Sequence, residues 1–464
     1  MRRTIHTFFE PRSLAVIGAS RTPGRPGHVV LQNLLDNGYP GAVYPVNPEA
    51  KEILGLRAYP TIASLPDGVE VGIILLPARA TPQALRECVA KGMGHIVLSA
   101  GGFAEYDDRG GSIQSELSEI IKDTGVRVLG PNTSGHTSTP ARLTTSFFPL
   151  GKIRPGHLSY IAQTGNFATH TMKLILTSEH YGVARVVGLG NKIDVEESEA
   201  LEYLGDDPQT RAILIYLESI SRPREFLGVA SRVTRHKPVI MLKTGATDAG
   251  RQAAVAHTAA LGTEDRLVDG LLRQAGVARI SDYTHLILVG RALSTAPLPR
   301  GNRVAVLAPS GAMLVSLADL CIRLELSLPE LEAQTIQRLE SHSGGFIRLR
   351  NPVDIWALTS KCGIKQAYEE GIAAVMHDPN VDAVAAVLML TADQERPSLS
   401  LLLDIAHENP NKPLLLSFTG DWQCIEEFAR EAALLGLATF MEIEQPLEVL
   451  SVLCRCRRSM DRPS

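Results

Sequence analysis

The stretch SLAVIGASRTPGRPGHVVLQNLLDNGYPGAVYPVN, residues 13–47, sets the fold class. It opens on a short apolar run, "SLAVIG", too short and too uniformly apolar for a surface helix. A glycine-punctuated turn follows, then "HVVLQNLLDNG" with helical spacing and a terminal glycine stop. A second apolar run, "AVYPVN", closes the unit. This is strand, turn, helix and parallel strand. The same alternation recurs at "VEVGIILLP" (69–77), "GHIVLSAG" (94–101) and "VRVLGPN" (126–132). Buried strands joined by helices predict a doubly wound parallel sheet.

Outward from this unit the pattern repeats twice. "HLSYIAQ" (157–163), "ARVVGLGN" (184–191), "AILIYLES" (212–219) and "PVIMLKTG" (238–245) form a second series. "RVAVLAPSGAM" (303–313), "VDAVAAVLMLT" (381–391) and "KPLLLSFTG" (412–420) form a third. The segment 137–156, rich in Pro, Thr and Gly, reads as a linker, and "STAPLPRGN" (294–302) as a second seam. The expected α/β domains are therefore 1–136, 150–293 and 302–460. At 464 residues the chain is too long for one ordinary core.

Composition narrows the function classes. The net charge of −4 argues against a general nucleic-acid or anionic-membrane binder. No apolar run reaches transmembrane length, and the N-terminal stretch lacks a secretory core, so a reduced cytosol is expected. The six cysteines show no disulfide framework and no zinc spacing; Cys454 and Cys456 read as two thiols on a C-terminal helix, and no metal site is expected.

Four places carry chemistry. In the first turn, glycines allow close backbone approach and the following helix start offers free N–H groups to phosphate. Ser20 replaces the second glycine of the dinucleotide fingerprint, which disfavours NAD and a hydride-transfer reading. The bland alternative is a tight strand–helix turn without ligand. A second helix start at Gln163-Thr164-Gly165-Asn166 is either a phosphate cradle or an N-cap. Glu218 ends a buried strand, where it is either inert or able to hold an imidazole in one tautomer. His257 sits in "KTGATDAGRQAAVAHTAALGTED", a small-residue segment suited to presenting a group-transfer nucleophile. "GATDAGRQ" (245–252) fails as a P-loop, because Arg251 stands where Lys should be. Asn191 and Asp194, beside a strand end, are further candidates.

In order and spacing, "VIGASRTPGRPG", "YPVNP", "LGPNTSG", "IAQTGNF", "GLGNKIDVEESEALEYL", "YLESI", the His257 segment and "NPVDIW" resemble the α subunit of NDP-forming acyl-CoA synthetases, the ADP-forming acetate–CoA ligases of the succinyl-CoA synthetase superfamily. The resemblance implies a Rossmann-like CoA-binding domain followed by two flavodoxin-like domains. It implies CoA at Gly18, Ser20, Arg21, Pro23 and Gly24, with Val46, Asn47 and Pro48 on the adenine side. It implies phosphate at Gln163, Thr164, Gly165 and Asn166, a phosphorylated His257, and Glu218 as its orienting acid. The implied activity is an acid–thiol ligase acting on a small carboxylic acid and its acyl-CoA. An ATP-grasp β subunit would bring ATP or ADP and Mg²⁺, with α2β2 the family's stoichiometry. Two departures stand out. The family often has Ser-His-Thr-Gly-Ser around the histidine, whereas here it is Ala256-His257-Thr258-Ala259-Ala260. The third unit has Pro309-Ser310-Gly311-Ala312-Met313 in place of a "GGxG" turn. The competing expectation is a non-catalytic acyl-CoA-binding regulatory protein of the same superfamily.

Overall fold

The computed structural model describes residues 4–163, 165, 167–179, 181–250, 252, 264–345 and 348–462. The first sheet comprises β1 (Ser13–Ile17), β2 (Ala42–Val46), β3 (Val71–Ile74), β4 (His95–Leu98) and β5 (Arg127–Leu129), in the order β2-β1-β3-β4-β5, all parallel. β1, β3, β4 and β5 are buried along their whole length, as their continuous apolar character predicts. The helix Pro26–Asp36 starts on a proline, whose missing N–H costs nothing in a first turn.

The second sheet begins with a hairpin, β6 (His136–Ser138) and β7 (Leu143–Thr144). It continues with β8 (Pro155–Ala162), β9 (Val183–Gly188), β10 (Ala212–Leu217), β11 (Val239–Lys243) and β12 (Ala278–Ile280). The order is β12-β11-β10-β8-β9-β6-β7; β8 to β12 are parallel and β6 runs antiparallel to β9. The expected linker is therefore partly strand. Thr137, Ser138, Thr139, Thr144, Thr145 and Ser146 are buried rather than solvated. Their hydroxyls make this possible: Thr139 Oγ1 donates to Val183 O at 2.6 Å, and the Thr137 and Thr144 hydroxyls bond each other at 2.9 Å.

The third sheet holds β13 (Val304–Ala308), β14 (Val353–Asp354), β15 (Ala383–Leu390), β16 (Leu414–Gly420) and β17 (Ala438–Phe440), ordered β14-β13-β15-β16-β17 and parallel. In all three sheets the first long parallel strand has its successor on one side and the next strand on the other. Each sheet thus has a switch point at the carboxyl ends of its strands, where open α/β sheets bind ligands.

The first two sheets share one compact unit, Met1–Ser281, and the third forms a second, Asp282–Ser464. In the first unit one apolar cluster runs from Leu14 and Val16 through Ile213 to Met241. The buried Arg127 on β5 pairs with Asp194 at 2.9 Å and Glu199 at 2.5 Å, tying the first sheet to the second. In the second unit, helix Tyr283–Thr295 packs on helix Gln445–Met460, and His285 bridges Asp282 and Glu448. The second unit thus opens with a helix that packs against its C-terminal helix. Cys454 and Cys456 lie on the C-terminal helix, where burial pushes both thiols up to about 12.

Candidate functional site

The first turn follows from two glycines. Gly18 adopts φ +91°, a backbone conformation that a side chain strains. A Cβ on Gly27 would meet the carbonyl oxygen of Gly18 at 2.2 Å, so the helix start presses directly on the turn. The Gly18 and Ala19 amides donate to Val46 O at 3.3 and 3.2 Å. Ser20 Oγ accepts the Thr22 N–H at 3.1 Å, folding the loop back on itself. Arg21, Pro23, Gly24 and Arg25 stay exposed, and among the described residues neither arginine forms an ion pair. The side chain of Asn47 is an internal brace. Its Nδ2 donates to Ala19 O at 2.7 Å, and its Oδ1 accepts from the Glu49 and Ala50 amides. Val46 is buried and Pro48 exposed beside it.

The second candidate site lies at the carboxyl ends of β8 and β10. Gln163 leaves β8, Glu218 leaves β10, and both are buried. Gln163 Oε1 accepts the backbone N–H of Glu218 at 2.9 Å and of Ser219 at 3.1 Å, while its Nε2 donates to Ser219 Oγ at 3.3 Å. From the other side Lys192 Nζ donates to Ser219 O at 2.9 Å and to Glu197 Oε2 at 2.9 Å. Glu197 is fully buried and also accepts the Ser221 N–H. The turn bearing Glu218 is thus clasped from both sides.

Gly165 is exposed at the helix start, facing Ser134, whose buried hydroxyl has no hydrogen-bond partner among the described residues. His257, Thr164 and Asn166 lie outside the described residues. Asn191 and Asp194 serve the frame. Asn191 Nδ2 bonds Glu105 at 2.6 Å and Gln114 at 2.9 Å, and Asp194 accepts from Arg127 and the Val128 amide. Among the described residues no group of His, Cys, Asp and Glu could hold a metal ion, and no helix is long and apolar enough to cross a membrane. Sequence reasoning missed Lys192, Lys243 and Ser134. Lys192 and Lys243 adjoin strand ends, but their burial has no local signature.

A family model described as a CoA binding domain matches residues 12–138, and one described as a succinyl-CoA ligase like flavodoxin domain matches 155–293. The acetate–CoA ligase [ADP-forming] I subunit alpha of Pyrococcus furiosus is 31% identical over 460 residues, covering 97% of each chain. The chain belongs to the ADP-forming acetate–CoA ligase family. Another member of that family, acetate–CoA ligase [ADP-forming] II of Archaeoglobus fulgidus, is 36% identical over 96% of this chain, which spans 66% of that protein's length. A solved chain of Ca. Korarchaeum cryptofilum dinucleotide forming acetyl-coenzyme A synthetase 1, in complex with phosphate and ADP, shares the ligase-family fold. Its TM-score is 0.90 at 29% identity, over 99% of this chain and 98% of that one.

Proposed function

We propose that the chain is the CoA-binding, phosphohistidine-carrying α subunit of an ADP-forming acyl-CoA synthetase, active with an ATP-grasp β subunit that binds nucleotide and Mg²⁺. Phosphate attacks the thioester carbonyl, the C–S bond breaks, and CoA leaves from an acyl phosphate. A ring nitrogen of His257 then takes the phosphoryl group, releasing the carboxylate, and passes it to the terminal oxygen of ADP. Synthesis of acyl-CoA runs the steps in reverse. The acyl group is a carboxylic acid's, aliphatic or aryl.

The observation that carries this reading is the retention of His257 together with Glu218, held on a doubly clasped turn at a switch point. A carboxylate carried on such a turn suits an acid that holds an imidazole in one tautomer and stabilises it as charge develops. The first turn supports CoA: its backbone is open to close approach, and Arg21 and Arg25 are exposed for phosphates. Phosphoryl transfer asks little covalent chemistry of a protein beyond a nucleophile, positioning and charge stabilisation.

The test is incubation of the chain with its β partner and Mg-ATP, followed by intact-protein mass spectrometry and peptide mapping. Acid-labile phosphate on His257, discharged by acid plus CoA and absent from His257→Ala, is the expected result. Tight CoA binding without phosphate would favour the second reading, a non-catalytic acyl-CoA-binding regulatory protein. Ala259 and Ala260, where the family often has Gly and Ser, are the observation behind that reading.

A further inference from the structure

Lys243 ends β11, at the same edge as Glu218. In the sheet it pairs with Leu217, one residue before Glu218. Its side chain is only 4% exposed. Its one hydrogen bond among the described residues goes to the carbonyl of the next residue, Thr244, at 2.5 Å. It forms no ion pair with a described carboxylate, unlike the two cations nearest to it. Lys192 is paired with Glu197 at 2.9 Å, and Arg279 with Asp265 at 2.5 Å. Burial holds Lys243 below the ordinary lysine range, and Asp265 and then Glu218 attract its ammonium without pairing with it, while Arg279 and Lys192 repel it. A buried ammonium served by a single carbonyl is costly, and such groups gather at functional sites.

We infer that Lys243 is an anion-binding side chain that receives inorganic phosphate at the carboxyl edge of the second sheet. The anion would supply the charge and the acceptor oxygens that Lys243 lacks. Its place fits: the sequence running on from Lys243 leads to His257, and β11 lies beside β10, one of the two strands at the switch point. The inference rests on the reading of the chain as a ligase that consumes phosphate, and it adds a cation to the polar groups expected to receive it.

The experiment titrates inorganic phosphate into the full-length chain by calorimetry and by thermal shift, comparing wild type, Lys243→Met and Lys243→Arg, with CoA and acetate titrations alongside. Lys243→Met is expected to weaken phosphate binding by about 10-fold or more, with CoA affinity unchanged, and Lys243→Arg to retain most of it. Without phosphate, Lys243→Met is expected to melt no lower than wild type, since it removes an uncompensated buried charge. Phosphate affinity within about twofold of wild type in a folded Lys243→Met protein would overturn the inference. So would a Lys243-dependent affinity for acetate but not phosphate, or a lowered melting point restored by Lys243→Arg without any effect of phosphate. Failure of the ligase reading shows separately, as absence of phosphate from His257 in wild type with its partner while phosphate binding still depends on Lys243.

Discussion

The side-chain carbonyl of Gln163 accepts the backbone N–H of Glu218 at 2.9 Å, across 55 residues of sequence. A residue expected at a phosphate cradle thus also sets the backbone of the residue expected to orient the histidine. Replacing Gln163 by Leu leaves the Glu218 and Ser219 amides without this acceptor. The expected loss is about 1–3 kcal/mol for each buried N–H left unsatisfied, together with slower His257 phosphorylation. Denaturant titration and a single-turnover phosphorylation assay read the two effects, and Gln163→Glu, which keeps an acceptor, is expected to recover stability.

Glu218→Gln keeps the shape and removes the charge. For a residue that orients an imidazole, the expected outcome is a roughly 10- to 100-fold slower phosphorylation of His257 with unchanged CoA binding. Unchanged phosphorylation in rapid-quench experiments would remove Glu218 from the mechanism.

The junction between the first two sheets depends on Arg127. Arg127→Met takes the paired cation away from the buried Asp194. Breaking such a pair costs about 3–5 kcal/mol, which a fall in the urea midpoint of the chain would register.

His136 gives the junction a pH dependence. Burial holds it down at about 4, with the nearby Arg185 charge adding to the effect and the carbonyl of Phe8 opposing it. Its folded value lies below its unfolded one near 6.5, so the unfolded chain takes up the proton first. Stability from this residue is complete above about pH 6.5 and is lost as the pH falls toward 4, by an amount of order 3 kcal/mol. Denaturation midpoints between pH 7.5 and 4.5 are expected to fall less steeply in His136→Gln than in wild type.

Gly27→Ala places a methyl 2.2 Å from Gly18 O, so the helix start must move off the turn. Overpacking of this kind costs about 1–3 kcal/mol. The expected signature is a marked loss of CoA affinity by calorimetry, whereas phosphate binding at the second sheet is retained.

The alternation of short apolar runs with helical segments determined three sheets built on parallel strands, because strands buried on both faces are mostly apolar. The order of motifs determined the family; His257 stood out in its small-residue segment and Glu218 at the end of a buried strand. Tertiary structure decided the rest. Thr137 to Ser146 read as a linker, since hydroxyl-rich composition marks a loop unless distant carbonyls accept those hydroxyls. The side chains of Asn191, Asp194 and Asn47 brace neighbouring elements, a role their sequence surroundings did not show, because the partners lie 28 to 86 residues away. Lys243 went unmarked within the run "PVIMLKTG". Its burial without a paired acid is a property of the packed edge, and no local pattern encodes the absence of a partner.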